Sequence, residues 1–360
     1  MTRTSIVYRL GAAVVAAAMV LGCSGGTAEV DPSPSELKPI TTIRLGYFPN
    51  LTHAAALIGV QQGHFKTALK ELKLTVTPTI FNAGPDAVTA LFGESLDCSY
   101  IGPNPAINAY VQSAGAAVRV VAGASSGGAS LVVRDGIATP NDLRGKKIAT
   151  PQLGNTQDVA LRAWLSDEGF ATNVEGGGDV SIVPQSNAEG LAAFVAGTID
   201  GAWVPEPWVQ EYVAQGAKVL VDERSLWPGG KFVTTHIICR TNFIRDYPDA
   251  VAALIQGHIA AIDAIVADPV AAKASFSLAL SAITGSEPKP EILDAAWGGL
   301  EFTYDPVSAS LVKSAEDAIR VGLLEKEKLD AAGGLPGDLY DLTILKDRKS
   351  TRLNSSHLGI

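Results

Sequence analysis

Short apolar runs that stop at Gly, Pro or Asn recur along this chain of 360 residues, each followed by a stretch with helical spacing. That alternation limits the fold more than any other feature, because it reads as a repeated strand–helix unit. TIRLGYF halts at Pro49, and a helix is expected over Ala54–Gln62. LTVTPTIF leads into a helix that starts at Asn82–Pro85. LDCSYIG leads into one that opens at Pro103–Tyr110, and VRVVAGA follows. Near-continuous apolar strands alternating with helices are the mark of a parallel sheet covered on both faces.

The pattern restarts after Ile137. KKIAT, DVSIVPQ, DGAWVP and AKVLVDE read as strands, separated by helical stretches such as VALRAWLSDEGF and NAEGLAAFVAGTI. FVTTHIICR reads as a strand leading back to the first unit, and helices dominate from Asn242 onward. The expected class is α/β in two lobes. The first lobe takes residues 41–133, the second 134–230, and residues 231–347 return to the first lobe and add C-terminal helices. The crossings are expected near Val133–Thr139 and Arg224–Thr235. Open α/β sheets bind ligands at the carboxyl ends of their strands, so two facing lobes make a hinged cleft.

The front of the chain says where this fold works. MTRTSIVYRLGAAVVAAAMVLGC sets Arg3 and Arg9 before an apolar run and a small residue, Gly22, before Cys23. That order reads as a signal peptide over residues 1–22, with lipidation of Cys23 and a polar tether over 23–40. The domain is then expected outside the cytoplasm, facing the periplasm or the exterior, tethered to the cell membrane by a fatty-acylated cysteine. No second segment reads as a membrane span. Residues 348–360 (RKSTRLNSSHLGI) lack periodicity and are basic in an acidic chain; they read as a non-native tail.

Composition excludes several classes. With 28 Lys+Arg against 37 Asp+Glu the chain carries a formal charge of −9, which does not suit nucleic acid. Apart from Cys23 there are two cysteines, Cys98 and Cys239. Pairing is open to them, but their apolar strand contexts favour two buried free thiols. No CxxC, HExxH or Cys/His cluster marks a metal site, no cofactor is implied, and no GxSxG elbow or nucleophile–base pair marks an enzyme.

Candidate binding residues lie where strands run into helices. Tyr47, Asn50 and His53 follow the first strand. NAGP (Asn82–Pro85) and GPNP (Gly102–Pro105) follow the second and third, with Asn104 the favoured side chain. Ser125 and Ser126 sit in a glycine-rich stretch that lets backbone approach a ligand. The sharpest motif is Gln152–Asp158. Gly154 permits an unusual turn, Asn155 or Thr156 caps the helix, and the freed amides with the helix dipole favour a negative group. Trp203 and Glu206, in GAWVPEPW, offer an apolar wall and a partner for an amine. Thr234 and His236 lie near the return crossing.

On LGYFPNLTHAAALIG, FNAGPDAVTALFGESLDCSYIGPNPAINAY, DLRGKKIATPQLGNTQDVALRAWL and DGAWVPEPW, residues 41–346 resemble the solute-binding lipoproteins of ABC importers for aliphatic sulfonates, nitrate, taurine and thiamine precursors. The resemblance implies a two-lobed periplasmic-binding fold of type II. It implies a monomer that closes on a small solute, an aliphatic sulfonate first among the choices, and delivers it to membrane permease subunits. Nitrate, taurine and a thiamine-precursor pyrimidine are the alternatives, with a lipid-anchored enzyme acting on a small pyrimidine a distant one. By the same likeness Tyr47, Asn50, Asn104, Ser126, Asn155, Thr156 and Glu206 match loops that line the cleft.

Overall fold

A computed structural model describes residues 37–347; Cys23, the leader, most of the tether and the 348–360 tail lie outside the described residues. The unit that begins at Pro39 carries the fold. Its first part contributes β1 (Thr42–Tyr47), α1 (Ala54–Gln61), α2 (His64–Ala68), β2 (Thr75–Ile80), α3 (Gly84–Phe92), β3 (Cys98–Ile101), α4 (Pro103–Gln112) and β4 (Val118–Gly127). The second lobe runs through β5 (Ala129–Val133), β6 (Lys147–Thr150), α5 (Thr156–Asp167), β7 (Ser181–Pro184), α6 (Asn187–Val195), β8 (Gly201–Pro205), α7 (Trp208–Ala214) and β9 (Lys218–Asp222). The chain then returns as β10 (Val233–Arg240), α8 (Thr241–Asp246), α9 (Pro248–Ala267), α10 (Pro269–Thr284), α11 (Pro290–Trp297), β11 (Leu300–Phe302), α12 (Ser308–Arg320) and α13 (Lys326–Ala331).

Two sheets result, in the orders β11, β4, β10, β3, β1, β2 and β7, β6, β8, β5, β9. They are mixed, not parallel. β1 pairs parallel with β2 and β3, and β6 with β7 and β8, as strand–helix units require. β10 runs antiparallel to β3 and β4, and β5 to β8 and β9. The cause is the lobe crossing: β5 enters the second sheet straight from β4, and β10 returns to the first with no α-helix before it, so no helical crossover forces either into a parallel pairing.

The first crossing also differs from expectation. β5 belongs to the second sheet, pairing Leu131 with Trp203, so the chain crosses at Gly127–Gly128, not at Val133–Thr139. Both glycines have φ near +76°, a conformation costly for other residues. The return crossing lies between β9 and β10.

One face of the first sheet packs on α1, α9 and α10, the other on α3, α4 and α12. The second sheet has smaller cores, against α5 on one face and α6 and α7 on the other. α9 is long and apolar enough to cross a bilayer by composition, but two-thirds of its most apolar window is buried inside the protein. The first core also contains a correction. Cys98 and Cys239 face each other across the β3–β10 ladder and form a disulfide, with Cα atoms 4.0 Å apart. Two free thiols were expected from the apolar strand context of each cysteine; 141 residues separate the pair, and only the return of β10 brings them together.

Candidate functional site

Four helices begin at one place. β2, β3, β6 and β7 each end beside a small cavity of about 30 Å³ between the lobes, and the first residues or caps of α3, α4, α5 and α6 line it. Ala83 and Gly84 come from the α3 start, Gly102 from the α4 cap, Asn155, Thr156 and Gln157 from α5, and Asn187 from α6. Each start leaves amides without helical partners and presents the positive end of a macrodipole. Phe48, Asn50, Thr52 and His53 follow β1, Pro205 ends β8, and Thr234 comes from β10.

The α5 start is held by a polar clamp. Asn155 caps the helix, its Oδ1 accepting from the Asp158 amide at 2.9 Å, while its Nδ2 donates to Gln157 Oε1 at 3.0 Å. Asp158 accepts from Thr150 Oγ1, the Gly154 amide and Arg162 Nε, all within 3.0 Å. Gly154, at φ +74°, makes the turn that directs its amide inward. Thr156 Oγ1 has no hydrogen-bond partner although it is buried.

The lobes meet closely here. A Cβ on Gly102 would lie 2.3 Å from Thr156 Oγ1. Gln152 Nε2 donates to Asp86 at 3.1 Å, Trp208 Nε1 donates to Asn50 Oδ1 at 2.9 Å, and the Leu51 amide donates to the Glu206 carbonyl at 2.9 Å. Arg320 on α12 pairs with Asp167 on α5. The cleft is closed in this arrangement.

No Lys, Arg, Asp or Glu lines the cavity among the described residues. Arg134 bonds the carbonyls of Ile199 and Phe194, and Arg162 is committed to Asp158. His53 accepts from the Phe48 amide through Nδ1 at 3.3 Å, which leaves its proton on Nε2. Burial, then the neighbouring His236, lowers the His53 pKa to about 3. Burial lowers His236 to about 3 as well, and neither of its ring nitrogens has a partner. Both imidazoles are neutral at physiological pH. No cluster of three or more His, Cys, Asp or Glu side chains is placed to hold a metal among the described residues.

Of the expected residues, the cavity gathers Asn50, His53, Asn155 and Thr156. Residues of the NAGP and GPNP turns line it too, as does Thr234, whereas the remaining expected side chains lie elsewhere. Tyr47 packs in the first core. Asn104 is turned toward α12, donating to the Ser314 carbonyl at 3.0 Å. Ser125 donates to the Thr52 carbonyl and Ser126 accepts from the Phe232 amide, because β4 extends through both. Trp203 is buried, 6.1 Å from the Trp164 ring, with its indole N–H on Glu223. Glu206 faces a second hollow beside Gln210, Asp222 and Arg224. Its Oε1 accepts from Gln210, its Oε2 has no partner, and burial raises its pKa to about 7. Sequence reasoning passes over Pro151 and Asn187. Asn187 had a readable signal: Ser186 and Glu189 form a capping box directly after a strand.

A family model described as the NMT1-like family matches residues 36–280. The taurine-binding periplasmic protein of Escherichia coli (strain K12) is 28% identical over 254 residues, which are 70% of this chain and 77% of that protein. Among solved structures, the alkanesulfonate-binding protein SsuA from Xanthomonas axonopodis pv. citri bound to MOPS aligns with a TM-score of 0.67 at 21% identity, covering 80% of this chain and 96% of that one. The periplasmic nitrate-binding protein NrtA from Synechocystis PCC 6803 aligns with a TM-score of 0.67 at 18% identity, covering 82% and 84%. These likenesses give the chain the periplasmic-binding-protein fold.

Proposed function

The chain belongs to the NMT1-like family, and from that premise we propose that it is an extracytoplasmic solute-binding protein of an ABC importer. It captures a small organic anion, an aliphatic sulfonate, and delivers it to permease subunits. The supporting observation is the convergence of four helix starts on a closed cavity in which Thr156 Oγ1 is buried and unpartnered. Dipoles and neutral donors then replace the water of an anionic head, without a countercharge. Phe48, Pro105, Pro151 and Pro205 supply apolar surface for a short alkyl tail. Relatives described as binding taurine, alkanesulfonate and nitrate support an anionic ligand.

Export and anchoring at Cys23 belong to the same reading, as does the absence of catalysis. The described cysteines are joined in a disulfide, and burial lowers the pKa of His53 and of His236 to about 3.

Mass spectrometry of solute released from the purified protein by denaturation tests the proposal. An unchanged sulfonate or other small anion is the expected result; a cationic ligand, or a product formed with turnover, would sink it. Closure has its own test. Gly102 has φ −74°, so Ala is allowed by the backbone and the strain falls on the contact with Thr156. Gly102→Ala is expected to weaken solute binding by about 1–3 kcal/mol, the usual cost of overpacking. It should also prevent the compaction that small-angle scattering records when solute is added to the parent protein.

A further inference from the structure

An ammonium group carried into a closed cavity needs a carboxylate, or several acceptors, to replace its water. None of the acidic side chains on the segments that build this cavity lines it among the described residues. Asp158 is fully buried beneath the α5 start and holds Thr150, Gly154 and Arg162. Asp86 accepts from Gln152 across the cleft. Glu189 is bound by Ser186 in the capping box of α6. Glu206 follows Pro205, which does line the cavity, but its carboxyl faces the second hollow, bonded to Gln210 and packed 3.3 Å from where a Cβ on Gly299 would lie. What faces the cavity is the positive end of four helices, a field that attracts an anion and repels a cation.

We infer that the cavity selects an alkanesulfonate without an amino group and rejects the 2-amino analogue, so that taurine is a poor ligand of this chain. The inference rests on the reading of the cavity as an anion site and goes beyond it. A taurine sulfonate bound at the helix starts leaves its ammonium within the apolar and amide-lined remainder, with no opposite charge in reach.

Calorimetry on the full chain with ethanesulfonate and taurine in parallel reads the difference. Ethanesulfonate is expected to bind roughly 30-fold or more tightly than taurine, since an unpaired buried charge costs more than a neutral group left unpaired. A second variant reverses the logic. Asn187 lines the cavity, its Oδ1 has no partner, and it is the first residue of α6, where a carboxylate suits the helix. Asn187→Asp is expected to narrow the ratio by about tenfold, by giving the ammonium a charged hydrogen-bond acceptor. Taurine bound as tightly as ethanesulfonate overturns the inference and leaves the anion site standing. So does a ratio that Asn187→Asp leaves unchanged. If ethanesulfonate, taurine and nitrate all fail to bind, the anion reading itself falls and takes this inference with it.

Discussion

The two lobes bring helix starts to the same cavity but support them differently. In the first lobe the loops after β1, β2 and β3 rest on a six-stranded sheet with large apolar cores on both faces and a disulfide through its centre. In the second, five strands carry smaller cores, and the critical α5 start depends on the Asp158 clamp. Buried titrating groups divide the same way. His53, His236 and His258 lie in the first lobe and are held neutral by burial; Glu206 and Glu223 lie on the second-lobe side with raised pKa values. Apolar packing tolerates loss of a polar group better than a polar clamp does, so the second lobe is where single substitutions should do most harm.

The strongest challenge to that contrast is Asp158→Ala. It strands the Arg162 guanidinium, 1% exposed, and removes the acceptor for Gly154 and Thr150. Breaking a buried pair from one side costs about 3–5 kcal/mol. Denaturant unfolding should show that loss, and solute binding should go with it because the α5 start is no longer shaped. A variant as stable as the parent would show that the second lobe is not held by its clamp.

Next comes the first lobe's covalent tie. Replacing Cys98 and Cys239 together by Ala frees a loop spanning 141 residues, and removal of such a bridge costs about 2–4 kcal/mol. Neither cysteine lines the cavity. Solute affinity measured well below the unfolding transition is therefore expected to survive in this variant, in contrast to Asp158→Ala. Affinity lost in step with stability would erase the distinction between support by packing and support by clamp.

The sequence revealed the site where its turns are local, after β1, β2 and β3 in the first lobe and before α5 in the second. Gly154, Asn155 and Thr156 form a strand–glycine–cap–helix passage whose geometry is local, so residue types and spacing were enough. For the first-lobe side chains that miss the cavity the deciding facts are not local. Ser125 and Ser126 lie in a glycine-rich stretch, but β10 and β11 pair with β4 and extend it over both serines. Asn104 sits inside α4, and only the packing of α12 shows which way its amide turns. Trp203 and Glu206 lie away from this cavity for a related reason within the second lobe. The side of β8 that faces the core is set by its neighbours β6 and β5, which sequence spacing does not order. The parallel pairs were legible from apolar runs, whereas the antiparallel ones depend on the lobe crossings.

A change of pH separates the lobes with a smaller effect. His53, His236 and His258 have folded-state pKa values lowered from 6.5 to about 3, 3 and 4. The unfolded chain takes up protons below about 6.5 while the folded one does not, so this contribution erodes stability as pH falls from there. Burial raises Glu206 and Glu223 from 4.5 to about 7. The unfolded chain then ionises above about 4.5 while the fold still holds the protons, and stability drops as pH rises toward 7. Glu206→Gln removes one such group without losing a bond at Oε2. Its melting temperature should match the parent near pH 4 and exceed it increasingly up to about pH 7, by about 1–2 kcal/mol in stability. A constant offset across that range would mean Glu206 is ionised in the fold.

The smallest expected effect is the most specific. Thr156 Oγ1 is buried, unpartnered and at the first turn of α5, beside the cap that the clamp holds. Because the hydroxyl makes no bond within the protein, Thr156→Ala should leave unfolding of the solute-free protein within about 0.5 kcal/mol of the parent. Its role appears only when an anion arrives, as one charge-assisted hydrogen bond worth about 1–2 kcal/mol, or roughly a tenfold loss of affinity. The matching change in the first lobe, Thr234→Ala, removes a hydroxyl already donating to the Gly127 carbonyl. That variant should lose stability more than affinity. Calorimetry and unfolding on the two variants together therefore ask which lobe supplies the free donor. If Thr234→Ala weakens capture more than Thr156→Ala does, the anionic head lies against β10 and not at the α5 start.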